Sequence, residues 1–152
     1  MDIRRFGPGQ RRPEGPPGTR GVSGAMLLSD ERAVVTEVAF GPYAMITPHT
    51  NETNTTLFIV ISGGGFVQVG EERARVNHGE AVLWPPGVPH GAYTDGTEMR
   101  AIIVELVGED GRVVDAAAGH GTGATPAEKA KGALAERQRT RAEYDKAEGE
   151  PW

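Results

Sequence analysis

His49, Asn51 and His90 are the residues whose types and spacing point to chemistry in this chain. His49 and Asn51 stand two apart, so on a strand both side chains face the same way. His90 follows the run Pro85-Pro86-Gly87-Val88-Pro89. Its prolines cannot donate to a ladder and its glycine accepts positive φ, so the run ends one strand at a stiff corner. An imidazole placed after such a corner is held firmly enough to be a ligand. Imidazole suits Zn, Cu, Fe and Ni, and oxygen donors extend the range to Mn. The Asn51 carbonyl is a weak neutral donor of that kind. Glu52 has the wrong strand parity and joins only if the chain bends after Asn51; His49, Glu52 and His90 then form a two-histidine, one-carboxylate set. Without a metal, the two histidines serve as polar contacts for an organic molecule or as an acid–base pair. His78, in a polar turn, and His120, in a glycine-rich stretch, are expected to face solvent.

The elements that position these residues are short strands. Residues 22–28 and 32–40 are joined by a turn at Ser29-Asp30-Glu31, and Val34, Val35, Val38 and Phe40 weight the second toward β structure. The apolar run 57–61 ends at Ser62-Gly63-Gly64-Gly65, which predicts a turn with residues 66–69 as the hairpin partner. Further strands are expected at 73–76, 81–84, 90–93 and 99–106, with turns between them. Regular short strands separated by turn signals imply a sandwich or barrel. Gly63-Gly64-Gly65 is not a phosphate loop, since no Lys-Ser/Thr pair or helix follows it.

The spacing Gly79-x5-Pro85-x-Gly87-x2-His90 resembles the second signature motif of the cupins. Their first motif fits residues 49–63 in frame: His49 falls on the first histidine and Gly63 on the closing glycine. Asn51 stands where the second histidine belongs and Thr56 where the glutamate belongs. Tyr43 occupies the place of the leading glycine, and Thr94 replaces the asparagine that follows the second-motif histidine. The resemblance covers roughly residues 33–107. It implies an all-β fold, a double-stranded β-helix (jelly-roll) barrel whose interior receives His49, Asn51 and His90. It also implies a divalent metal ion (Mn, Fe, Ni, Co or Zn) as cofactor, a small-molecule ligand, and dioxygenase-, isomerase- or decarboxylase-type chemistry. A non-catalytic, metal-free binding barrel is the alternative. Thr56, at the family's glutamate position, shares a strand face with Phe58 and Val60, so this face should line the cavity. Gln68, Trp84 and Tyr93 are further candidate lining residues.

Composition bounds the rest. The 152 residues suffice for one core. With no cysteine there are no disulfides, thiolate ligands or Cys nucleophiles, which fits a cytoplasmic location. No signal-peptide pattern follows Met1 and no apolar run is long enough to span a membrane. A net charge of −5 argues against general nucleic-acid binding. Residues 1–21, rich in Arg, Pro and Gly, are expected to form an extended N-terminal arm, and 22–116 the barrel. A glycine-rich linker at 117–124 leads to a C-terminal helix at 125–148, with Thr125 as N-cap, Pro126 at the first helical position and Glu128 completing a capping box. Exposed jelly-roll edges need cover, and a homodimer with the arm packed across a barrel edge is the expected assembly.

Overall fold

The computed structural model describes residues 1–107. The expected linker and C-terminal helix lie outside the described residues. A single 3-10 turn, Pro8–Gln10, precedes eight strands: β1 Arg12–Pro13, β2 Arg20–Ser29, β3 Ala33–His49, β4 Thr55–Val69, β5 Glu72–Asn77, β6 Ala81–Trp84, β7 His90–Tyr93 and β8 Met99–Leu106. Every strand pairing is antiparallel. Strands β3 and β4 are long enough to pair with both β7 and β8, which closes the sheet on itself as a jelly-roll barrel. Closure leaves β3, β4, β7 and β8 without a free edge, while β1, β5 and β6 each pair with one strand. The arm covers a short part of the outer side of β2, since β1 pairs with it through Arg12↔Gly24 and Pro13↔Ser23.

Inside the barrel, Val38, Phe40, Ile46, Phe58, Val60, Trp84, Met99 and Ala101 form one apolar cluster. Alternation sets this core: Val34, Thr36, Val38 and Phe40 of β3 are buried, facing Met99, Ala101 and Ile103 of β8. The β2–β3 turn is held by Asp30, whose Oδ1 accepts the N–H groups of Arg32 (2.8 Å) and Ala33 (2.9 Å).

The glycine run at 63–65 differs from expectation. It is not a hairpin turn; β4 passes through it unbroken. The reason is steric. Gly63 has φ 69°, and a Cβ there would strike the Glu98 carbonyl; one on Gly65 would lie 2.6 Å from the Tyr93 carbonyl. The glycines allow neighbouring backbones to press against β4 and let it bend. A register shift between Val60 and Ser62 accompanies the bend. Before it Thr56, Phe58 and Val60 alternate as buried residues, with Thr55 also buried at the strand start; after it Gly65 and Val67 alternate, with Gly64 also buried at the bend. The buried face therefore changes from even to odd positions, as a bulge of one residue requires.

Two positions where the chain departs from the family motifs have physical explanations. Tyr43 is the one non-glycine residue with positive φ (61°) among the described residues. The backbone there still has the conformation that glycine adopts most easily, and a bulky side chain tolerates it at a cost. Thr94, 4 % exposed, accepts the Ala44 N–H (2.9 Å) and donates to the Gly41 carbonyl, tying β7 to the bend of β3. Thr94→Val keeps the shape and removes both bonds, so it should cost about 2 kcal/mol in a urea titration. A loss below about 0.5 kcal/mol would show that the hydroxyl is dispensable there.

Candidate functional site

Two irregularities in the sheet bring the histidines together. A register shift between Ile46 and His49 turns the end of β3, and His49 then pairs directly with His90 at the start of β7. The corner before β7 is fastened from the opposite loop, where the Asn51 carbonyl accepts the Gly87 N–H at 2.9 Å. Gly87 has φ 74°, a conformation that glycine adopts without strain. The two imidazole rings stand 4.6 Å apart, edge to face. Each Nδ1 lies 2.9 Å from a main-chain carbonyl two residues back, Thr47 for His49 and Val88 for His90. A ring nitrogen facing a carbonyl carries the hydrogen, so Nε2 is the nitrogen left for a ligand.

His90 is 2 % exposed. Burial, and secondarily the neighbouring His49, lower its pKa to about 4, against a smaller opposing effect of the Val88 carbonyl. The imidazole is therefore neutral at neutral pH. It stacks on Trp84 at 4.6 Å, Trp84 stacks on Phe58 at 4.9 Å, and Phe58 meets Phe40 edge to face at 6.0 Å. A continuous aromatic column thus runs from the core to the histidines and fixes the orientation of the His90 ring.

The histidines border a cavity of about 60 Å³, room for a ligand of a few heavy atoms. Asn51, Thr56 and Trp84 line it as well, as do Val38, Ile46 and Ile103. The structure thus brings His49, Asn51, His90, Thr56 and Trp84 to one place. Asn51 sits beyond the end of β3, not on it, and its Oδ1 accepts the N–H groups of Thr53 (3.3 Å) and Asn54 (3.2 Å). Glu52 is exposed and outside the lining; its carboxylate lies toward Gly87. Phe58 is fully buried in the core beneath Trp84. Gln68 and Tyr93 border a separate hollow, with Gln68 bonded to the Gly70 carbonyl and Tyr93 stacked on Phe66 at 5.0 Å. Both follow from parity. Gln68 lies past the bend that shifts the buried face of β4, and Tyr93 is three residues from His90 on β7.

Among the lining residues that the sequence reading did not name are two carboxylates. Glu105 lies on β8 directly opposite Thr56, in step with the inward residues Ala101 and Ile103. That step was legible from the period of two. Glu14 belongs to the arm and is 7 % exposed; its N–H bonds the Val22 carbonyl at 3.3 Å. Nothing local in the sequence marks it.

The donor chemistry fits a divalent transition ion at the two imidazoles. Both offer Nε2 while a main-chain carbonyl holds Nδ1, the outer support usual for metal-bound histidine. His49 and His90, with ring centroids 4.6 Å apart, are the residues that would hold such an ion.

The Cupin domain family model matches residues 36–107. Among solved structures, the polyketide cyclase RemF from Streptomyces resistomycificus is similar at 24% identity, with TM-score 0.59, covering 69% of this chain and 80% of that one. KdgF from Halomonas sp. is 23% identical with TM-score 0.53, covering 59% and 83%. An RmlC-like cupin from Shewanella frigidimarina is 21% identical with TM-score 0.53, covering 64% and 93%. A comparison with curated proteins found no match. Among the described residues no helix is long and apolar enough to cross a membrane.

Proposed function

This chain belongs to the cupin superfamily, and on that premise we propose that its barrel binds a small molecule at a divalent metal ion held by His49 and His90. The observation that carries this reading is the shared arrangement of the two rings, each with Nδ1 on a main-chain carbonyl and Nε2 left for a ligand in one cavity. Mn, Fe, Ni, Co and Zn all suit imidazole with added oxygen donors. When bound, the ion supplies Lewis acidity and a fixed point of attachment for a carbonyl or enolate oxygen. The chain's own residues do the rest. Trp84 holds the His90 ring in place, Thr56 offers a hydroxyl, and Val38, Ile46 and Ile103 exclude water. A metal-dependent enzyme of the dioxygenase or isomerase type is the class proposed. The description of RemF as a polyketide cyclase supports catalysis in a barrel of this shape.

One observation favours a second reading, a metal-free binding barrel: among the described residues no three His, Cys, Asp or Glu side chains come together as a metal-holding group. Metal analysis separates the two. Protein purified without a histidine tag should take up one equivalent of Mn, Co, Ni or Zn at neutral pH. His49→Ala and His90→Ala should each abolish uptake, and His78→Ala should not. Failure of the unaltered protein to take up any of these ions decides for the metal-free barrel. A homodimer is part of the same proposal, supported by the exposed apolar side chains of Met26 and Leu28 on β2.

A further inference from the structure

We propose that the outer face of the barrel carries a second binding site, which takes a small planar aromatic carboxylate. The site is a hollow of about 340 Å³ lined from β3, β7, β4 and β5. That is at the lower end of the ~300–1,000 Å³ of small-molecule sites, and it gives room for a ring that the histidine cavity of about 60 Å³ lacks. Ile46 is the one residue common to the two linings.

Parity and register build the hollow. Ala44, Ile46, Val67, Val76 and Ala92 are buried, so the residues that alternate with them, Met45, Phe66, Arg75 and Tyr93, face outward. Register sets these four side by side: Met45 opposite Tyr93, Tyr93 opposite Phe66, and Phe66 opposite Arg75. The Arg75 guanidinium lies 5.7 Å from the centre of the Phe66 ring, and Phe66 stacks on Tyr93 at 5.0 Å with the planes 12° apart. This stack runs from β5 toward β3 and ends at Tyr93, beside Met45, where the hollow begins. A planar ligand seated there extends it, with one face on the Tyr93 ring and the Met45 thioether alongside. In the next row Gly91 stands opposite Gln68, and Gln68 opposite Arg73. A Cβ on Gly91 would lie 2.8 Å from the Ile46 carbonyl, so glycine is required there, and its bare backbone leaves the floor open beside Tyr93.

Arg73 sets the charge of the ligand. Among the described residues it is the only charged side chain in the lining; it is exposed and makes no ion pair. Its guanidinium can receive a carboxylate through two parallel hydrogen bonds. The adjoining hollow, which shares Met45 and Tyr93, pairs the cation of Arg20 with the anion of Asp95 in its lining and so offers a carboxylate less. The Gln68 amide is fixed by its bond to the Gly70 carbonyl at 2.9 Å and holds the interval between Arg73 and Gly91.

The probes are 2-naphthoate and 2-naphthamide, which share a ring and differ in charge. Backbone ¹H–¹⁵N signals of the full chain are followed during titration with EDTA present, so that no metal ion at His49 and His90 attracts the carboxylate. Naphthoate should shift the signals of Met45, Gly91 and Tyr93. The chain has two tryptophans, so the Trp84 indole N–H can be identified through Trp152→Phe, and it should stay in place. Arg73→Gln should weaken naphthoate at least ~10-fold and naphthamide less than ~3-fold. Arg5→Gln, which removes the same charge from an exposed arm position, should keep the wild-type affinity. Tyr93→Leu should weaken both probes about 5-fold by removing the stacking surface. Naphthoate binding no more tightly than naphthamide, wild-type affinity in Arg73→Gln or in Tyr93→Leu, shifts confined to the histidine cavity, or no shift with either probe would each overturn the inference. Metal uptake at the histidines is a separate measurement, so none of these outcomes decides the function proposed above.

Discussion

Replacing Arg11 with alanine should destabilise the fold by about 3–5 kcal/mol, the cost typical of removing one partner from a buried ion pair. Glu37 is completely buried on β3. Arg11 holds it in a fork, Nε to Oε2 at 2.9 Å and Nη2 to Oε1 at 2.7 Å, and Arg100 adds Nε to Oε1 at 2.9 Å. Burial alone would raise the carboxyl's pKa; the hydrogen bonds from Arg11 and then Arg100 outweigh it, and the net shift is downward. Arg100 is 40% exposed in its side chain and Arg11 only 13%, so Arg11 is the partner whose loss strands the charge. The check is a pair of denaturation curves. Arg11→Ala should be strongly destabilised, and Arg11→Ala/Glu37→Met should recover most of the loss, because the stranded carboxylate is gone. A single variant within about 1 kcal/mol of the parent would show that the fork contributes little. Glu37 also sets an acid limit: its folded pKa is depressed, so its contribution is present above the ordinary carboxylate range and is lost as pH falls through the folded value.

Stability should also fall by about 3 kcal/mol as the pH is lowered from roughly 6.5 to 4, and His90 is the cause. The folded pKa is about 4 and the ordinary value 6.5, so between them the unfolded chain binds a proton that the folded chain refuses. Unfolding is therefore favoured progressively as the pH drops through that window, and His90 adds no further loss below it. Thermal or urea unfolding of metal-free protein across pH 4–7 measures the slope. His90→Gln removes the titrating ring and should flatten the curve in this window. An unchanged slope in the variant would assign the acid sensitivity elsewhere.

The sequence carries the corner and the strands beside it because their signals are local. Pro85, Pro86 and Gly87 stop a strand whatever surrounds them, and the apolar run 81–84 matches β6 in full. Glycine is less specific. At 63–65 it signals either a reversal or a close approach of backbones, and only the packing of Glu98 and Tyr93 against β4 decides for the second. That bend shifts the buried face of β4, which is why Thr56 reaches the cavity and Gln68 does not. His49 faces inward through a second shift, after Ile46, that no period of two could anticipate. Glu14 was illegible for a different reason. Its place depends on Arg11 meeting Glu37, a contact between residues far apart in the chain and visible only once the barrel has formed.

Strand β8 has a consequence for the order of events in folding. It lies between β3 and β4 and joins them, pairing Thr36 with Ile103 and Phe58 with that same residue from the other side. Until residues 99–106 have left the ribosome, both long strands lack their common partner and the barrel stays open. At about 5–20 residues per second, β3 and β4 wait seconds with apolar faces uncovered. Pairings this distant in sequence also place spontaneous refolding in the range of about milliseconds to seconds. The nascent chain is thus most exposed to aggregation just before β8 arrives, and the charges of Arg100 and Glu105 travel on the strand that ends that exposure.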